Sequence, residues 1–330
     1  MVNNVFIIGN GFDLDLELPT KYSDFAKSSF WPEASPQTST YVVSSRNVVR
    51  VGSLPTSILL EHYLDRKKNL NTWFDLENEL LLYSHVDNKN NGKERDSFIE
   101  KNIEYFIKLQ NSLCDYIISV EDKVTRKDSV AGRVLKSVID NDYFEQIYSF
   151  NYTSLNKIAR SLGIYHDIKY THMHGKVDDR SIILGVDDSK LRPGYELFHK
   201  SSSHYYRSHD IYNALTNARE IVIFGLSFGN IDYSYFDRFF KSLSDGDSIH
   251  EENKKNITIF TKDDKSRLSI IGKLREMNIS IQRLYAQSHF QIICTEDEKD
   301  KSLLDVFVKR LNDNSRAAYE RNLDTISNLF

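Results

Sequence analysis

Apolar positions along the chain fall into two textures. The first is a set of short, nearly continuous runs: VFIIG (5–9), EQIYSFNYT (145–153), IKYTHMHG (168–175), SIILGVDD (181–188), EIVIFGLSFG (220–229) and NITIFTK (256–262). Each leads into glycine, polar turn residues or a helical pattern. Runs of this length predict strands buried on two faces, and such strands predict a mostly parallel sheet with helices packed on either side. The second texture lies between the first and second runs, where Ile99, Ile103, Phe106, Leu109, Leu113 and Ile117 recur at helical spacing, with Leu59, Tyr63 and the segment 73–82 more loosely so. Length allows one large domain or two modest ones; the pattern predicts a doubly wound, mostly parallel α/β sheet with a helical insertion at 55–135 after the first strand.

The Ser/Thr-rich stretch ASPQTSTYVVSSRN (34–47) frames that insertion, and VDNKNNGKERD (86–96) interrupts it as a loop. Beyond the last strand, Leu304, Phe307, Val308 and Leu311 mark an amphipathic helix, and residues 317–330 suggest a second. SDGDSIHEENKKN (244–256) reads as a solvated connection.

Composition narrows the function classes. A formal net charge of -4, with basic and acidic residues intermixed, gives no basic field that would collect nucleic acid. The two cysteines, Cys114 and Cys294, stand apart in hydrophobic surroundings, which suggests neither a disulfide framework nor a thiolate zinc site. The opening MVNNVFIIGNGFD has no basic leader region, and no apolar run reaches membrane-spanning length. A cytoplasmic protein with no membrane partner is expected.

Candidate chemistry gathers where strands end. In GNGFD, Gly9 and Gly11 fill two positions of a dinucleotide fingerprint, while Leu14 occupies the third; a tight strand-to-helix turn explains the pair equally well. Asp13 and Asp15 are alternatively helix caps. In SFNYTSL, Asn151 stands at a strand end, where an amide can hold a water or a ribose hydroxyl, or simply make an Asn turn. In THMHG, His172 and His174 alternate along the expected strand and so face opposite ways, with His174 beside Gly175 the better placed to border a cleft. In FGLSFGNIDYSYF, Ser227 and Asn230 or Asp232 open a helix whose amides suit phosphate or a cap. GLSFG also fits the nucleophile-elbow pattern, without an oxyanion motif beside it. No zinc-ligand spacing accompanies the two histidines.

Taken together and in this order, IIGNGFDLDLELPTKYSDF, WFDLENEL (73–80), SFNYT, HMHG with ILGVDD (183–188), and GLSFGNIDYSYF resemble the AbiH-type bacteriophage abortive-infection family. More distantly, the same order is similar to the sirtuin-like NAD-binding fold, which implies a single doubly wound α/β domain of Rossmann type over residues 1–330. That resemblance implies a nucleotide site formed by Gly9, Asn10, Gly11, Phe12, Asp13, Gly225, Ser227 and Asp232, with Asn151 holding a water or the ribose and His174 as base. Thr153 stands where sirtuins often carry an acid, and the four-cysteine zinc module of deacetylating sirtuins is absent.

The resemblance therefore implies an anti-phage effector that binds NAD and hydrolyses its nicotinamide–ribose bond, with NAD as substrate and no metal expected. Two other expectations stay open. One is a nucleotide-sensing or partner-binding defence protein without chemistry. The other is a metal-dependent nuclease or other hydrolase built on His172, His174, Asp187 and Asp188. The helical insertion is the candidate surface for a homo-oligomer, or for a phage-derived or protein trigger.

Overall fold

The computed structural model describes residues 3–32, 41–44, 47–50, 76–85, 93–140, 144–186, 191, 195–206, 211–229, 232–246 and 250–313. Leu59, Tyr63, Asp187, Asp188, Asn230 and the expected helix at 317–330 lie outside the described residues. The strands are β1 (Asn3–Ile8), β2 (Tyr41–Ser44), β3 (Asn47–Arg50), β4 (Gln146–Ser149), β5 (Thr171–His172), β6 (Ala218–Phe224), β7 (Lys255–Thr261) and β8 (Ser288–Cys294). The α-helices are α1 (Asn10–Asp15), α2 (Tyr22–Lys27), α3 (Leu76–Ser84), α4 (Lys93–Val120), α5 (Val130–Asp140), α6 (Leu155–Ser161), α7 (Tyr212–Asn217), α8 (Tyr233–Asp245), α9 (Asp264–Glu276), α10 (Ile281–Gln287) and α11 (301–313). Among the described residues no helix is long and apolar enough to cross a membrane.

The chain forms two compact units, one from residues 1–20, 120–176 and 207–330 and the other from 21–119 and 177–206. Of the described part of the stretch 55–135, residues 76–85 and 93–119 belong to the second unit, whereas α5 packs within the first.

In the first unit six strands form an all-parallel sheet in the order β5-β4-β1-β6-β7-β8. Counting only these strands along the chain, that order is 3-2-1-4-5-6, the winding of dinucleotide-binding α/β folds, whose direction reverses between β1 and β6. The period-two alternation of strands sorts side chains to two cores. Val5, Ile7, Ile221, Ile223, Ile257 and Ile259 pack with Leu215 of α7, Phe236 and Phe240 of α8, Leu274 of α9 and Leu284 of α10. Phe6, Ile8, Val222, Phe224, Phe260 and Ile293 face α5, α6 and α11 through Val134, Leu135, Leu155, Ile158, Leu304 and Phe307. Both faces of β1 are thus covered, which is why its apolar run is continuous.

Several strand expectations change. The described part of the run 181–188, residues 181–186, contributes no strand to the sheet: Val186 makes an isolated bridge to His199 in the second unit. The amide of Val186 donates to Phe198 O (2.8 Å) and that of Lys200 to Val186 O (3.0 Å), so its apolar side chains are buried without a ladder. The run 168–175 shrinks to Thr171–His172 paired with Tyr148 and Ser149, and His174 sits in the bend beyond. β8 is an additional strand. Its covered positions Ser288, Phe290 and Ile292 are interrupted by His289 and Gln291, so no continuous apolar run announces it. The Ser/Thr-rich frame holds β2 and ends at the first residue of β3, and the two strands pair antiparallel with Val42 opposite Val49.

In the second unit, aromatic rings carry much of the packing. Phe25 contacts Trp31 and Tyr116, while Tyr83, Tyr195 and Phe106 surround Phe198. Lys200 and Glu77, each buried, lie 3.6 Å apart there.

Candidate functional site at the carboxyl ends of the central strands

The reversal of winding leaves the β1–α1 turn beside the turn after β6. Glycine is required there by backbone meeting backbone. A Cβ on Gly11 would lie 2.6 Å from the Cα of Gly225, and one on Gly9 would lie 2.8 Å from Gly225 O. Gly225 itself has φ +68°, in the left-handed region, and a Cβ on it would be 2.3 Å from the amide nitrogen of Phe12. The Gly9 amide donates to Phe224 O (2.8 Å) and the Gly11 amide to Gly225 O (2.9 Å). The fingerprint-like spacing is thus explained by mutual packing of the two turns. Past Gly225, Phe228 also takes a positive φ of 51°, a strained state for a bulky residue, held by ring contacts with Phe236 and Phe240.

Asp13 lies on α1 facing inward. Its Oδ1 accepts from Asn151 Nδ2 (2.8 Å) and its Oδ2 from Thr153 Oγ1 (2.9 Å). Burial pushes its carboxyl up to about 7 from an ordinary 3.8; the Thr153 and Asn151 hydrogen bonds pull the other way, and the Glu121 charge adds to the rise. Asn151 follows β4, and its Nδ2 also donates to Gly9 O (3.1 Å). A carbonyl can only accept, so the nitrogen end of the amide must face Gly9. Among the described residues nothing donates to Asn151 Oδ1. The next residues are pinned as well: Glu121, buried at the end of α4, accepts from the Ser154 amide (2.9 Å) and from Lys157 Nζ (2.5 Å). Neither Thr153 nor Glu121 was among the expected site residues. Glu121 in particular reads in sequence as one more charge at the end of an amphipathic helix.

His174 is 6% exposed, and its Nε2 lies 3.4 Å from Asp232 Oδ1. Asp232 occupies the N-cap position of α8 yet makes no side-chain cap bond, although Asp is a favoured capping residue. Its Oδ1 is buried and lies within ion-pair distance of the histidine without a hydrogen bond to it. The His174 ring meets Phe150 edge-on at 5.3 Å, so one wall of this place is aromatic. His172 is held differently: Nδ1 is 3.1 Å from Asn151 O and Nε2 is 3.2 Å from the Tyr170 hydroxyl, which accepts from the Leu155 amide. With both ring nitrogens engaged, His172 braces the loop after β4.

The remaining expected residues scatter in environment. Phe12 is fully buried between Phe6 and Phe224, a core residue on this geometry. Asn10 is exposed and accepts from Thr20 Oγ1 (2.6 Å). Ser227 is exposed. Asp15 accepts from the Ala131 amide (2.7 Å) and so caps the first turn of α5. Among the described residues no group of three or more His, Cys, Asp or Glu could hold a metal ion, and Asp187 and Asp188 lie outside that set.

The arrangement joins a buried amide with one acceptor to spare, a histidine beside a carboxylate and an aromatic wall, all next to the point where sheet winding reverses. No curated protein matches the chain. The family model described as bacteriophage abortive infection AbiH matches residues 5–250, a span that holds β1 through α8, and the chain belongs to that family.

Proposed function

We propose that this chain serves in defence against bacteriophage by cleaving the nicotinamide–ribose bond of NAD, with water as acceptor. The family supports the defence half of the reading. The chemistry rests on one observation above the others: Asn151 and His174 stand at the carboxyl ends of neighbouring parallel strands in a 3-2-1-4-5-6 sheet, where such folds take dinucleotides. Asn151 Oδ1 would accept from the attacking water or a ribose hydroxyl. His174 would accept a proton, and Asp232 would stabilise the imidazolium that forms. The departing nicotinamide leaves the ribose as a neutral base, so the reaction needs no strong acid.

The glycine turn fits this role through shape. The amides of Gly9 and Gly11 are already bonded to Phe224 O and Gly225 O, so phosphate contacts would come from other groups around the crevice. The direct test is nicotinamide release from NAD by the purified chain, alongside His174→Ala and Asn151→Ala. Each substitution should lower turnover by about a hundredfold to ten-thousandfold. Folded variants that retain wild-type turnover would dismiss the reading, and tight NAD binding without release would leave a sensor in its place.

A further inference from the structure

We propose that Asp13 is a positioning residue, whose bonds to Asn151 and Thr153 fix the Asn151 amide with Oδ1 as its outward acceptor. The inference rests on the role given to Asn151 above, and it differs from the expectation that Asp13 touches the nucleotide. Asp13 is 1% exposed and both its oxygens are occupied, by Asn151 Nδ2 at 2.8 Å and Thr153 Oγ1 at 2.9 Å. A carboxyl so enclosed reaches a ligand only through its partners.

The geometry leaves the amide one orientation. Gly9 O and Asp13 Oδ1 both accept from Nδ2, which uses the two N–H groups Asn151 has. A flipped amide would set its oxygen against two acceptors and strand both of them. Thr153 holds Asp13 from the other side, and Glu121 anchors the Ser154 amide one residue further on. Two buried carboxyls from different parts of the chain therefore clamp the loop after β4. A neutral acid at position 13 does the same work, since one oxygen still accepts from Asn151 while the proton goes to Thr153 Oγ1.

Asp13→Asn should therefore preserve the function. Its Oδ1 accepts from Asn151, and its Nδ2 donates to Thr153. Asp13→Ala removes the acceptor, and a misplaced Asn151 should lower kcat by about a hundredfold with KM within about twofold of wild type. Hydrogen exchange of the Asn151 side-chain amide, assigned by its loss in Asn151→Ala, gives a readout independent of turnover. Protection should persist in Asp13→Asn and disappear in Asp13→Ala.

Should Asp13→Ala not fold, Thr153→Val keeps shape and burial while removing one of the bonds that hold Asp13. It should speed exchange at the Asn151 amide and lower kcat by about tenfold. A hundredfold loss in Asp13→Asn would make Asp13 a chemical participant and overturn the proposal. Unchanged protection in folded Asp13→Ala, or in Thr153→Val if Ala does not fold, would overturn it too. If the wild-type chain releases no nicotinamide, the NAD reading fails by itself, and amide protection alone decides whether Asp13 positions Asn151.

Discussion

Asp13 couples the site to stability as well as to geometry. Its carboxyl is raised to about 7 in the folded chain from an ordinary 3.8, mainly by burial, so the folded state binds the proton more tightly than the unfolded one. The sign follows from linkage: this contribution is fully present below about 3.8 and is lost as pH rises through about 7. Relative to Asp13→Asn, which has no proton to lose, wild-type Tm should fall between those two values and run parallel above them; calorimetry across that range checks it. His172 tests the bracing role of its neighbours. His172→Ala breaks bonds to Asn151 O and Tyr170, and should cost about 1 kcal/mol of stability for each. An equal Tm in wild type and variant would contradict that role. At this scale sequence reading singled out Asn151 and His174 because polar residues at strand ends are conspicuous. It could not find Thr153 as a partner of Asp13, 140 residues away in sequence, because that pairing exists only once β1 and β4 lie side by side.

Among elements, the two glycine turns are best understood as one device. Gly11→Ala must push a Cβ into the Gly225 backbone, and Gly225→Ala adds a left-handed φ to a closer clash. Both should destabilise the fold, Gly225→Ala the more, so any loss of NAD affinity at Gly11 should arrive with a loss of stability. Gly272 supplies the contrast. It lies inside α9 with open space where a Cβ would go, and Gly272→Ala should stabilise by about 0.5–1 kcal/mol. Denaturant unfolding of the three variants checks the ranking. Strands β1, β6 and β7 were legible because helices cover both their faces and leave an unbroken apolar run. β8 was not, since His289 and Gln291 break its run, and residues 181–186 misled because burial without a ladder produces the same hydrophobic pattern as a strand.

For the whole molecule, the winding order is what brings the candidate site residues to one end of the sheet. Parallel direction follows from apolar runs separated by helical segments, but the identity of every strand, the order 3-2-1-4-5-6 and the division into two units depend on which segments meet in space. On the NAD reading, turnover by the intact chain should need neither divalent metal nor an acetylated peptide, because water is the acceptor and nicotinamide departs as a neutral base. Nicotinamide release with chelator present and peptide absent checks this, and activity that appears only with added metal would favour a metal-dependent hydrolase. The measurement that bears most directly on the account is the rate of nicotinamide release from NAD by the wild-type chain, Asn151→Ala and His174→Ala, each shown to be folded. The account predicts release by wild type and a loss of about a hundredfold or more in each variant; no release and no NAD binding by wild type, or variants as fast as wild type, would contradict it.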